Sequence, residues 1–133
     1  MNKWSNTSKE RLEQCDERLQ ALAEAVLQIH DCSVLTGHRS ENAQNQAYVE
    51  GYSTIQWPYS KHNKLPSLAI DLAPFPINWK NTKRFYYFAG IVMGVAKQMN
   101  LPIRWGGDWD MDNDLDDSNF LDLVHFEIKE SEP

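Results

Sequence analysis

The chain has 133 residues, 41% hydrophobic and 24% charged, enough for one soluble domain spanning 1–133 with a core of its own. Its net charge is −6 and no basic stripe is visible, so a phosphate-backbone binder is excluded and no nucleic-acid partner is expected. No run approaches the ~18 apolar residues that cross a bilayer, and the opening MNKWSNTSKERLEQ lacks a signal-peptide core, so neither membrane insertion nor signal-directed export is expected.

Thr7-Ser8-Lys9-Glu10 has the pattern of a capping box that opens a helix. Leu12, Cys15, Leu19, Leu22, Val26 and Ile29 then recur at spacings of three and four, which predicts one apolar helical face running to about His30. Cys15 on that face and Cys32 beyond it read as two buried, reduced thiols. Ser33–Thr36 reads as a short strand ending at Gly37. A second helix is predicted from about Ser40 to Glu50, with Gly51 as its stop. Residues 52–67 have loop composition. Leu68–Ala73 alternates as a strand, with Leu68, Ile70 and Leu72 on one face and Asp71 on the other.

Beyond Pro74-Phe75-Pro76, a third helix is predicted from Thr82 to Met99, burying Phe85, Phe88, Ala89, Val92, Val95, Ala96 and Met99. Ile103–Trp105 is a short strand, Gly106–Asn119 a polar loop, and Leu123–Ile128 a last strand. Val124, Phe126 and Ile128 would face the core, leaving His125 and Glu127 on the opposite, open face. The pattern is α+β: about three helices packed on a small, mainly antiparallel sheet.

Of the four histidines, His30 ends a helix, where a structural role is expected, and His38 is ambiguous. His62 and His125 each fall near a carboxylate. His62 closes a loop nine positions before Asp71, so the two can converge on one point. Asp122 and His125 are three apart, and strict alternation would send them to opposite faces. For both to face one site, Asp122 must lie in the turn before the strand or at a bulge. Two histidines and a carboxylate with an open fourth position make a catalytic zinc site, and a further carboxylate can act as general base. No local H-E-x-x-H motif is present, so composition alone leaves open whether these residues act together.

Four short blocks in order raise a resemblance. Thr36-Gly37-His38-Arg39-Ser40 followed by Gln46, Ser60-Lys61-His62 with Ala69-Ile70-Asp71, Trp105-Gly106-Gly107-Asp108-Trp109, and Asp122-Leu123-Val124-His125-Phe126-Glu127 resemble the zinc D,D-carboxypeptidase and L-alanyl-D-glutamate endopeptidase family, most of all its phage endolysin branch. The resemblance implies a Hedgehog/D,D-peptidase-like fold and Zn(2+) held by His62, Asp71 and His125. It also implies Asp122 as general base, and Arg39 as the group that steadies the substrate oxygen as charge develops. The family's H-x-x-G-x-A-x-D interval is longer here, with Lys64-Leu65-Pro66-Ser67 in place of its glycine turn.

The resemblance further implies a peptidoglycan hydrolase cutting between L-alanine and D-glutamate, acting as a monomer. Such an enzyme would be made in the host cytoplasm and reach the cell wall once the membrane is breached. A D-alanyl-D-alanine carboxypeptidase or dipeptidase, and a non-catalytic zinc-stabilised binding module, are the alternative readings. Separately, Asp110, Asp112 and Asp114 imitate the start of a calcium loop, although Leu115 and Leu121 replace the glycine and glutamate an EF-hand needs. A Ca(2+) site there is an expectation alongside a plain solvated acidic loop.

Overall fold

A computed structural model describes residues 2–113 and 121–130. In chain order it contains α1 (Asn6–Glu13), α2 (Glu17–Ile29), β1 (Cys32–Thr36), α3 (Glu41–Val49), a 3₁₀ turn (Lys61–Asn63), β2 (Ala69–Pro74), α4 (Thr82–Gln98), β3 (Ile103–Gly106) and β4 (Asp122–Ile128). The four strands form one antiparallel sheet in the order β1-β2-β4-β3. The expected α+β class is what is observed. Among the described residues no helix is long and apolar enough to cross a membrane.

The first predicted helix is two helices. Ser5, not Thr7, caps α1, its side chain accepting from the Ser8 N–H. The break at Gln14–Asp16 comes from a distant segment: Ser67 N–H donates to Gln14 O at 2.9 Å, and Asp16 N–H donates to Ser67 O at 2.9 Å. Asp16 then starts α2 by accepting from the Arg18 N–H. The apolar periodicity survives the break because both pieces pack on the same core. Leu12, Cys15, Leu19, Leu22 and Val26 are all buried, whereas Ile29 is 61% exposed and does not belong to that face.

Leu19, Leu22, Val26 and Leu27 of α2 meet Phe88, Ala89, Val92 and Ala96 of α4 and Ile70, Leu72, Phe126 and Ile128 of the sheet. Each such large side chain stabilises the fold by about 1.5–3 kcal/mol on burial. Both cysteines are buried and unpaired, as expected. Every residue of β2 is buried, so its second face is not open; it forms the floor beneath the polar residues.

A bulge reshapes the start of β4. Trp105 pairs with Phe126, yet Gly106 pairs with Asp122, which leaves Leu123, Val124 and His125 unmatched across that step. Leu123 therefore packs against the core where Val124 was expected. Gly106 makes this possible: a Cβ there would sit 2.1 Å from Asp122 O.

Candidate metal centre and active-site cleft

Three elements bring the polar residues together. Asp71 of β2 and His125 of β4 are direct cross-strand partners in the antiparallel ladder. His62 sits in the 3₁₀ turn, which Ser60 and Asn63 close with a reciprocal capping box. Arg39 N–H donates to His62 O at 2.8 Å and Asn63 Nδ2 donates to Arg39 O at 3.0 Å, locking the turn onto the start of α3. The longer Lys64–Ser67 connection keeps that aim. Leu65 projects into solvent while Ser67 is tied to Gln14 and Asp16.

His62 Nε2 lies 3.2 Å from Asp71 Oδ1 and 3.2 Å from His125 Nδ1, and His125 Nδ1 lies 3.3 Å from Asp71 Oδ1. All three residues are buried, at 1%, 6% and 7% exposure in chain order, which corrects the expectation of an open sheet face. The second nitrogen of each ring is already committed. His62 Nδ1 meets Gly37 O at 2.7 Å; a carbonyl only accepts, so Nδ1 donates and Nε2 presents a lone pair. His125 Nε2 meets Glu127 Oε1 at 2.8 Å, which likewise turns Nδ1 and its lone pair inward.

Three acceptors thus converge with no donor between them, an arrangement that repels itself unless a cation occupies its centre. Tetrahedral zinc with N and O ligands at ~2.0–2.1 Å spaces those atoms ~3.3–3.4 Å apart, so the donor set fits zinc in type and spacing. The titration behaviour agrees. Burial raises the Asp71 carboxyl, but the His62 and His125 imidazoles outweigh it and hold it far below the usual range. Burial disfavours a charged His125, but contacts with Asp71 and Glu127 outweigh it and push its pKa up to about 9. Without a metal the triangle draws in a proton.

A cleft of about 160 Å³ opens over this triangle, lined by Arg39, Arg104, Trp109 and Asp122, with Tyr52 and Tyr59 among its other walls. The bulge brings Asp122 to the same cleft as His125, as required of residues three apart. Burial, followed by the Asp71 charge, pushes the Asp122 carboxyl above its usual range. Arg39 NH2 lies 3.7 Å from Asp71 Oδ2, and its NH1 donates to Gln44 Oε1 at 3.0 Å. Gln44 is fully buried and bonds on to Ser53 and Ile55, so it braces the cleft wall. Gln46, grouped with the first motif, is instead on the solvent side, bonded to Glu50.

Sequence reasoning gave no role to Glu127, Lys61 or Arg104. Glu127 lies two residues from His125 on the same strand face, and that spacing was the available signal. Burial raises the Glu127 carboxyl, but His125 and Lys61 bring it down to about 2. His30 stays outside the site, its Nδ1 on Asp31 O at 2.7 Å and its ring against Phe88. In the acidic loop, carboxylate oxygens of Asp108, Asp110 and Asp112 lie within 4.8 Å of one another. Asp110 and Asp112 of the expected calcium set are there, whereas Asp114 lies outside the described residues.

Fold and site together define a small antiparallel α+β domain with a His–Asp–His cluster suited to metal-assisted hydrolysis. The family model for phage L-alanyl-D-glutamate peptidase matches residues 1–129, and the chain belongs to that family. It is therefore of the peptidase class that the sequence motifs implied. The L-alanyl-D-glutamate peptidase of Escherichia phage T5 is 26% identical over 120 residues, covering 86% of this chain and 87% of that protein. The crystal structure of the Serratia marcescens L-Ala D-Glu endopeptidase ChiX superposes with a TM-score of 0.74 at 22% identity, covering 97% of this chain and 90% of that one.

Proposed function

We propose that this chain is a zinc-dependent endopeptidase that cuts the L-alanyl-D-glutamate bond of the peptidoglycan stem peptide, as a phage endolysin acting in host lysis. The observation that carries the reading is the convergence of His62 Nε2, Asp71 Oδ1 and His125 Nδ1 at 3.2–3.3 Å, with both rings held by Gly37 O and Glu127. Zinc bound there would supply a Lewis acid and make a water acidic enough to attack near neutral pH.

The chain's own residues do the rest. Asp122, its carboxyl pushed upward by burial, takes the proton of the attacking water and passes it to the leaving amine of D-glutamate. Arg39, fixed by Gln44 and Asp71, turns its guanidinium toward the oxygen that gains charge. The occupied general-base position favours a catalyst over a binding module, and the family favours the L-alanyl-D-glutamate bond over D-alanyl-D-alanine. Synthesis in the host cytoplasm and action at the wall follow from the same reading, with one chain as the working unit.

Digestion of purified peptidoglycan tests it. The protein should carry about one zinc per chain and expose new D-glutamate amino termini while leaving glycan strands intact. Chelation should abolish cleavage and added zinc restore it. Full activity in metal-free protein would sink the mechanism, and release of free D-alanine alone would reassign the bond. Calcium at the acidic loop belongs to the same reading as a weaker element. Hydrolysis should rise with calcium at fixed zinc in the native protein, and the rise should be absent in Asp110→Asn/Asp112→Asn; identical responses would leave a solvated loop.

A further inference from the structure

The wall of the cleft beyond His125 holds more positive charge than its own carboxylate needs. Glu127 Oε2 lies 2.8 Å from Arg104 NH2 and 3.1 Å from Lys61 Nζ, while Oε1 is taken by His125 at 2.8 Å. One cation would neutralise Glu127. A second on the same oxygen adds repulsion between like charges and leaves a positive charge unspent.

Neither cation is sealed away. The Lys61 and Arg104 side chains remain 30% and 25% exposed, and both line the cleft. Arg104 stands 5.6 Å over the Trp109 ring, which steadies a flat guanidinium. Its Nε is buried with no hydrogen-bond partner among the described residues, so Glu127 does not exhaust its donors. Together with Arg39, itself paired with Asp71, they set three cations against the carboxylates of Glu127 and Asp122 in the lining of this cleft.

We propose that Lys61 and Arg104 form a cationic subsite that reads a free carboxylate on the residue following the scissile bond. The proposal rests on the peptidase reading above and names the feature of the substrate that the site selects. Position supports it. Lys61 directly precedes His62, and Glu127, which both cations touch, meets His125 Nε2 at 2.8 Å, so the pair stands one side chain outside the triangle on the wall of the same cleft. A charged group on the residue that follows a carbonyl held at the triangle faces that wall. In the stem peptide, D-glutamate continues through its side-chain carboxyl, so its main-chain carboxylate sits next to the scissile nitrogen. A carboxamide at that position would carry no charge for the two cations to meet. A site with surplus cations favours the free acid.

The test uses two stem peptides that differ only in that group, carboxylate against carboxamide. The zinc-loaded native protein should cut the carboxylate form with kcat/KM about tenfold higher, equivalent to about 1.4 kcal/mol. Arg104→Gln and Lys61→Met should each collapse that ratio toward one, chiefly through KM for the carboxylate form. Arg104→Lys, which keeps the charge, should retain most of it. Each single substitution leaves Glu127 one cation, and circular dichroism and zinc content report whether the fold holds. A second readout avoids catalysis altogether: metal-free protein should bind the D-glutamate-terminated product peptide more tightly than its amide by calorimetry, and the Gln and Met variants should lose that difference. Equal handling of the two peptides by the native protein, or an undiminished ratio in folded variants, overturns the subsite. Failure to cut either peptide between alanine and glutamate overturns the peptidase reading, and the subsite with it.

Discussion

Asp71 and Asp122 are carboxylates near the same two imidazoles, yet their surroundings push them in opposite directions. Burial acts upward on both. Direct contacts with His62 and His125 reverse it for Asp71, while the neighbouring Asp71 charge adds to it for Asp122. Such a split between adjacent acids supports the proposed division of roles, Asp71 as an ionised zinc ligand beside Asp122 as proton carrier. His62→Ala, Asp71→Ala and His125→Ala should each lose zinc and activity together, as measured by metal analysis and peptidoglycan hydrolysis. Asp122→Asn should retain zinc and fold but lose at least ~10²-fold in rate, the scale of an absent general base. Loss of the metal from Asp122→Asn would make Asp122 a ligand and require a different base.

At the scale of elements, the site depends on a bulge between β3 and β4 that only a residue without a side chain permits. Gly106→Ala would drive a Cβ to 2.1 Å from Asp122 O, a backbone atom with no rotamer to escape into. The strands must part there, at a cost of about 1–3 kcal/mol typical of overpacking. Zinc content should persist, because His125 stays paired with Asp71 of β2 on the edge of β4 away from β3, and His62 lies on a separate turn. The rate should fall about 10²-fold as Asp122 shifts by an ångström or so. Native activity with an unchanged melting temperature would remove the bulge from the mechanism.

The sequence carried much of this architecture. Periodicities of three to four and of two located the helices and strands, and the spacing of Asp122 and His125 already demanded a bulge or turn. What it did not carry depends on distant partners. The Gln14–Asp16 break is made by Ser67, the exchange of Val124 for Leu123 in the core follows from the Gly106 contact, and the role of Glu127 appears only where Lys61, Arg104 and His125 converge on it.

For the molecule as a whole, the two thiols measure how firmly the core is closed. Cys15 lies between α1 and β2, with Sγ 3.7 Å from Arg11 O and 4.0 Å from Ala69 O, and Cys32 opens β1. Burial pushes both up to about 12, helped by Asp71 for Cys15 and by Asp31 for Cys32. An unfolded chain titrates its thiols near ~8.5. Below that pH both states keep the protons, and the contribution to stability is fully present. Between ~8.5 and about 12 the unfolded chain releases protons that the folded chain retains, so stability falls as pH rises, by up to about 1.4 kcal/mol per pH unit for each thiol. Urea unfolding of metal-free protein at pH 7.5, 9 and 10 measures this against Cys15→Ala/Cys32→Ala. The double variant starts lower because it leaves cavities, but its alkaline slope should be shallower, since the two thiols are the only ionisable groups by which the proteins differ. Parallel slopes would mean that the thiols ionise in the folded state. Rapid labelling of both cysteines in native protein at pH 8 would then follow, and the core around α1 and β2 would be open to solvent on that timescale.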